Sequence, residues 1–124
     1  MTMNESRENY LEAILVLEKQ LGQVRSIDVA NSLGFSKPSV SVAVKHLKAD
    51  GHIQMLDSGI LELTHSGRAL AERIYERHTL LTNALVALGV SREVAREDAC
   101  RIEHDISEES FEAIKKHFGA GRQL

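Results

Sequence analysis

Apolar residues recur along most of the chain at the spacing of one helical face. Leu11, Ile14 and Leu15, followed by Glu18, outline an amphipathic helix over residues 4–21, and Gly22 stands behind it as a stop signal. The stretch "SIDVANSLG" predicts a short second helix, with Ser26 as its N-cap and Gly34 as its terminator. In "FSKPSVSVAVKHLKADG", Ser36 caps a third helix and Pro38 occupies its first turn, where a missing N–H does no harm. Val40, Val44 and Leu47 form its buried stripe, and Gly51 ends it. Two helices joined by the tight "LGFS" junction have the layout of a helix-turn-helix. The period then changes: in "HIQMLDSGILEL" two β-leaning runs, residues 53–56 and 60–63, flank a "DSG" turn with Asp57 and Gly59. A hairpin directly after a helix-turn-helix is a wing. Helical spacing returns at Thr64, and Leu70, Ile74, His78, Leu81 and Leu85 mark one face of a long helix reaching Gly89. Ser91 and Ser107 read as N-caps of two more helices, the second with Phe111, Ile114 and Phe118 facing inward, while the tail "GAGRQL" is expected to fray.

The predicted fold is therefore mainly α with a small β-hairpin. A winged helix-turn-helix over residues 1–63 precedes an all-helical dimerisation domain over residues 64–124. A length of 124 residues with 43 % apolar content is ordinary for a soluble globular protein. Apolar runs are far shorter than the roughly 20 residues a bilayer span needs, and "MTMNESRENY" lacks a signal-peptide layout, so a cytoplasmic location is expected. A single cysteine, Cys100, can form no internal disulfide; in a reducing compartment it is a ligand, a reactive thiol or core filler. The net charge of −3 argues against wholesale polycationic binding to nucleic acid and directs attention to local patches.

One such patch lies on the third helix. Between Phe35 and Ala49 no acid occurs, whereas Lys37, Lys45, His46 and Lys48 are interleaved with Ser36, Ser39 and Ser41. Short hydroxyls, lysines and the N–H groups at a helix start suit phosphate and base-edge contacts. Lysines on a lone helix usually mean only a solvated face; the preceding helix and the following wing make double-stranded DNA the expected partner. Candidate DNA contacts are Arg25, Ser26, Ser36, Lys37, Pro38, Ser39, Ser41, Val42 and Lys45. One winged unit covers few base pairs, so the inward-facing apolar positions of the C-terminal helices are read as a homodimer interface, with a palindromic operator as its consequence. The alternative is a monomer whose helices cover the winged domain.

The stretch "ACRIEHD" holds candidate metal chemistry, because Cys100, Glu103 and His104 fall at i, i+3 and i+4 of a helix and can meet on one face. His78 lies in register with the apolar stripe of the long helix, and Asn9 and Glu12 share a face of the first helix beside Leu11. Singly each has an ordinary reading: a packed thiol, a carboxylate paired with an arginine, a surface histidine. Together they are too mixed for a structural zinc site and suit a first-row divalent ion of higher coordination number. No His-Glu-x-x-His spacing or second set of acid, base and nucleophile occurs, so an enzyme is not expected. A rival reading is a winged-helix regulator sensing an organic ligand or oxidant through Cys100, whose operator binding would ignore a chelator.

"ENYLEAIL", "SVSVAVKHLKADG", "LTHSGRALA", "ERHTLL" and above all "DACRIEHDIS" resemble the diphtheria-toxin-repressor family of metal-dependent transcriptional repressors, over nearly the whole chain. The resemblance implies a winged helix, a helical dimerisation domain and, because the chain stops where an SH3-like domain would begin, the short branch. It also implies Cys100, Glu103 and His104 as ligands from the dimerisation domain, His78 from the long helix and Glu12 from the first. Asn9 stands where the family has Asp or Met and can offer a neutral carbonyl oxygen. Cys100 matches the iron branch; the manganese branch has a carboxylate there. Thr82 and Arg96 replace acidic and imidazole ligands of the iron branch's ancillary site, and an arginine cannot ligate. Thiolate softness orders the expected cofactors as Fe²⁺ first and Mn²⁺ second, with Co²⁺, Ni²⁺ or Zn²⁺ as substitutes. An ion held by ligands of both halves would clamp the DNA-binding head to the dimerisation half.

Overall fold

Helical spacing is realised over most of the chain. The computed structural model describes residues 3–118, with side chains from residue 7 on. Its elements are α1 (Met3–Leu21), β1 (Val24–Arg25), α2 (Ser26–Leu33), α3 (Lys37–Ala49), β2 (Ile53–Met55), β3 (Ile60–Leu63), α4 (His65–Ala87), α5 (Arg92–Asp105) and α6 (Glu108–Phe118). Two compact units divide inside α4, the first ending at Glu72 and the second beginning at Arg73. No helix among the described residues is long and apolar enough to cross a membrane.

The first unit is a winged helix. Leu11, Ile14 and Leu15 of α1, Val29 of α2, the α3 stripe Val40, Val44 and Leu47, and Ile53, Leu61 and Leu63 of the sheet form one buried cluster. Full burial of each such side chain is worth about 1.5–3 kcal/mol. The turn of the helix-turn-helix is made by Gly34, whose positive φ of 71° lets its N–H reach back to the Ala30 carbonyl. Ser36 then starts α3: its Oγ accepts the Ser39 N–H at 3.3 Å, and Pro38 lies in the first turn. At the far end, Gly51 donates to the Lys48 carbonyl and His52 to that of Leu47, the paired bonds of a Schellman stop.

Two expectations are corrected here, and one is extended. Ser26 does not cap α2 but is its first residue; Arg25 is the N-cap, and its backbone N–H is taken by the Asp28 carboxylate at 2.9 Å. The expected hairpin is present as β2 and β3, and β1 extends it to a three-stranded antiparallel sheet of order β1-β3-β2, with Val24 opposite Leu61 and Arg25 opposite Ile60. A two-residue strand between a helix stop and a helix start is too short to show a period of two. Leu56 lies just past the end of β2, although its N–H still donates across the turn to the Ile60 carbonyl. From Gln54 to Leu63 the wing carries Asp57 and Glu62 and no lysine or arginine.

Thr64 caps α4 by accepting the Gly67 N–H at 3.1 Å. Gly67 is required there, since any Cβ would collide with the His52 carbonyl. In the second unit Ile74, Leu81 and Ala84 of α4, Ala95 and Ala99 of α5 and Phe111 of α6 are buried. Leu70, His78, Leu85, Ile114 and Phe118 are half-buried. Ser91 and Ser107 cap α5 and α6, accepting the N–H groups of Val94 and Ser110. The tail "GAGRQL" lies outside the described residues.

Candidate metal centre and nucleic-acid interface

The second unit gathers Cys100, Glu103 and His104 as the helical spacing requires. One ligand atom from each lies within 4.8 Å of the others, and no second group of this kind occurs among the described residues. Ala95 and Ala99 bury the face of α5 that carries them, so the trio sits at the packed side of the helix. The side chains of His104 and Glu103 are only 5 % and 2 % exposed, with Nε2 of the ring 3.5 Å from Oε1 of the carboxylate. A carboxylate so removed from water gains most from a nearby cation, and thiol, carboxylate and imidazole together are the donors of a first-row divalent ion. This donor set therefore fits such an ion, with coordination positions left for further ligands.

His78 lies on α4, half-buried, its Nε2 3.3 Å from the Arg96 carbonyl oxygen. Thr82, one turn on, is buried and donates its hydroxyl to the His78 carbonyl at 2.7 Å, while the Arg96 side chain is exposed. Asn9 and Glu12 are half-buried on α1 of the first unit.

Sequence reasoning did not weigh Arg77. Its side chain, 11 % exposed, donates through Nη1 to the Glu103 carbonyl at 3.0 Å and through Nη2 to Glu108 at 2.8 Å. It also stacks over Phe111, 4.9 Å from the ring centroid. The same Glu108 oxygen accepts from Arg73 at 2.7 Å. The available signal was position: Arg77 falls in helical register with Ile74, Leu81 and Ala84.

The first unit presents the candidate DNA surface. Ser36, Lys37, Pro38, Ser39, Ser41, Val42 and Lys45 are all exposed, as is Arg25 at the start of α2; Ser26 is half-buried. Ser36 and Ser39 hydroxyls are 2.9 Å apart at the N-terminus of α3, where the helix presents positive partial charge. Val42 is 56 % exposed on this otherwise polar face.

Two family models match the chain. Residues 2–57 match the N-terminal DNA binding domain of the iron dependent repressors, and residues 64–122 match their metal binding and dimerisation domain. Transcriptional regulator MntR of Escherichia coli O6:H1 is 40 % identical over 108 residues, covering 87 % of this chain and 70 % of MntR. Iron-dependent repressor IdeR of Mycobacterium tuberculosis H37Rv is 36 % identical over 111 residues, covering 86 % of this chain and 48 % of IdeR. The solved structure of the manganese regulator SloR superposes with a TM-score of 0.81 at 26 % identity, over 90 % of this chain and 53 % of SloR. The chain thus spans about half the length of that structure. A winged head on the first family model, a helical unit with a Cys-x-x-Glu-His cluster on the second, and relatives of both metal branches place this chain in the diphtheria-toxin-repressor family of metal-dependent transcriptional regulators.

Proposed function

We propose that the protein is a repressor that binds palindromic operator DNA as a homodimer when a first-row divalent cation is bound, Fe²⁺ in preference to Mn²⁺. The observation that carries this is the convergence of Cys100, Glu103 and His104. His78, Glu12 and Asn9 complete the donor set in this reading. A bound cation supplies charge compensation and directional bonds to donors brought from different helices. Cys100 brings the thiolate that favours iron over manganese. Glu103 and His104 are held on the same helical face, so little ordering of side chains remains to be done on binding.

In the head, the N-terminus of α3 and the Ser36 and Ser39 hydroxyls bind phosphate, Lys37 and Lys45 neutralise backbone charge, and Ser41 and Val42 face base edges in the major groove. Leu88, Val94 and Tyr75 leave apolar surface exposed on the second unit, as a homodimer contact requires. With donors from both units on one ion, occupancy and an operator-competent arrangement are coupled, and a nearly complete switch takes about 5.5 kcal/mol of differential affinity.

The test is selection of DNA from a random duplex library under anaerobic conditions with Fe²⁺, Mn²⁺ or chelator. Palindromic sequences recovered only with metal, and lost in Cys100→Ala with Fe²⁺, are expected. Recovery of the same sequences in chelator overturns the proposal.

A further inference from the structure

We infer that Arg77 is a positioning residue for the metal ligands, holding the last turn of α5 so that Cys100, Glu103 and His104 keep one geometry. The inference rests on the metal reading above and concerns a residue that supplies no ligand atom. α5 ends at Asp105, and Ile106 N–H still closes the helix onto the Ile102 carbonyl. The carbonyl of Glu103 lies in that last turn, where a helix end supplies few backbone donors. Arg77 Nη1 donates to that carbonyl at 3.0 Å. Two of the three donors therefore stand in a terminal turn, the part of a helix that frays most readily, and the side chain securing that turn comes from a different helix.

Its other contacts fix the guanidinium itself. Glu108, in the first turn of α6, accepts Nη2 at 2.8 Å, and the Phe111 ring lies under the cation. The planar fork joins α4, the end of α5 and the start of α6, which one ammonium point charge cannot do. Stability alone does not account for a cation here. Arg77 Nε is buried and meets no acceptor among the described residues, and an apolar side chain of similar length would fill the space over Phe111 without desolvating a charge. What such a side chain lacks is the bond to the Glu103 carbonyl.

The test compares full-length wild type, Arg77→Met, Arg77→Lys and Glu108→Gln by anaerobic Co²⁺ titration. It reads the thiolate-to-Co²⁺ charge-transfer band and visible ligand-field bands, with amide exchange of Ile106 measured on the metal-free proteins. Arg77→Met is expected to fold with a modestly lower thermal midpoint without metal, to lose affinity for Co²⁺ by about 10–100-fold and to exchange Ile106 faster. Arg77→Lys restores part of the affinity, and Glu108→Gln, a change at an exposed carboxylate that leaves the fold intact, weakens it by less than Arg77→Met. Wild-type affinity, spectrum and Ile106 exchange in Arg77→Met overturn the inference. If that variant does not fold, wild-type values in Glu108→Gln overturn it instead. A wild-type protein giving no Cys100-dependent band overturns the metal reading, and this inference with it; a band present in wild type and unchanged in the variants overturns the inference alone.

Discussion

The first unit closes over one apolar cluster running from Tyr10 to Ala71, whereas the second encloses Ile74, Leu81, Ala84, Ala95, Ala99 and Phe111 together with Arg77, Thr82 and Glu103. Every buried polar or charged residue among those described belongs to the second unit. The difference teaches where each half gets its structure. Apolar burial is non-directional and indifferent to small solutes, so the head holds its shape through packing. Buried charge is directional and depends on partners being in place, so under the proposed function the helical unit is the half expected to gain most order from a cation.

The comparison can be broken most forcefully from the head. Leu47 is fully buried in the α3 stripe, and Leu47→Ala is expected to destabilise the first unit by about 2–5 kcal/mol in urea denaturation. Amide exchange should show the loss in α1 to α3; an equal loss confined to α5 and α6 would erase the contrast. Next in size is the cation. Metal at 100 times its dissociation constant adds about 2.7 kcal/mol, read as a higher thermal midpoint that EDTA reverses and Cys100→Ser lacks. A midpoint that rises equally in Cys100→Ser shows that the stabilisation comes from elsewhere.

Two smaller effects sharpen the head's side of the contrast. Ser36→Ala removes the cap that accepts Ser39 N–H and should cost about 1 kcal/mol, with weaker DNA binding and no change in metal affinity. Lys45→Ala is expected to leave stability unchanged and to lower the slope of log affinity against log salt by about one. An unaltered slope removes Lys45 from the phosphate contacts.

Much of this was legible before any coordinates. The stripe Val40, Val44 and Leu47, the caps Ser36, Ser91 and Ser107 and the stop at Gly34 follow from period and from local hydrogen-bonding chemistry, which act within a few residues. The convergence of Cys100, Glu103 and His104 was legible for the same reason, since one helix brings them together. Strand β1 was not, because its only signal is pairing with Leu61 and Ile60 far along the chain. The cap at Arg25 was missed because the side chain providing it belongs to Asp28, three residues on. Arg77 was passed over because a charged residue is assigned to solvent by default, and its partners, a backbone carbonyl and Glu108, are set by helix packing rather than by spacing.

The wing, with Asp57 and Glu62 and no lysine or arginine, has a consequence for search along a genome. In the proposed DNA complex, a flap carrying only negative charge would add nothing to sequence-blind adhesion, and attraction would rest on α3 and the start of α2. Lysines grafted at that tip would tighten the grip everywhere and dilute selectivity.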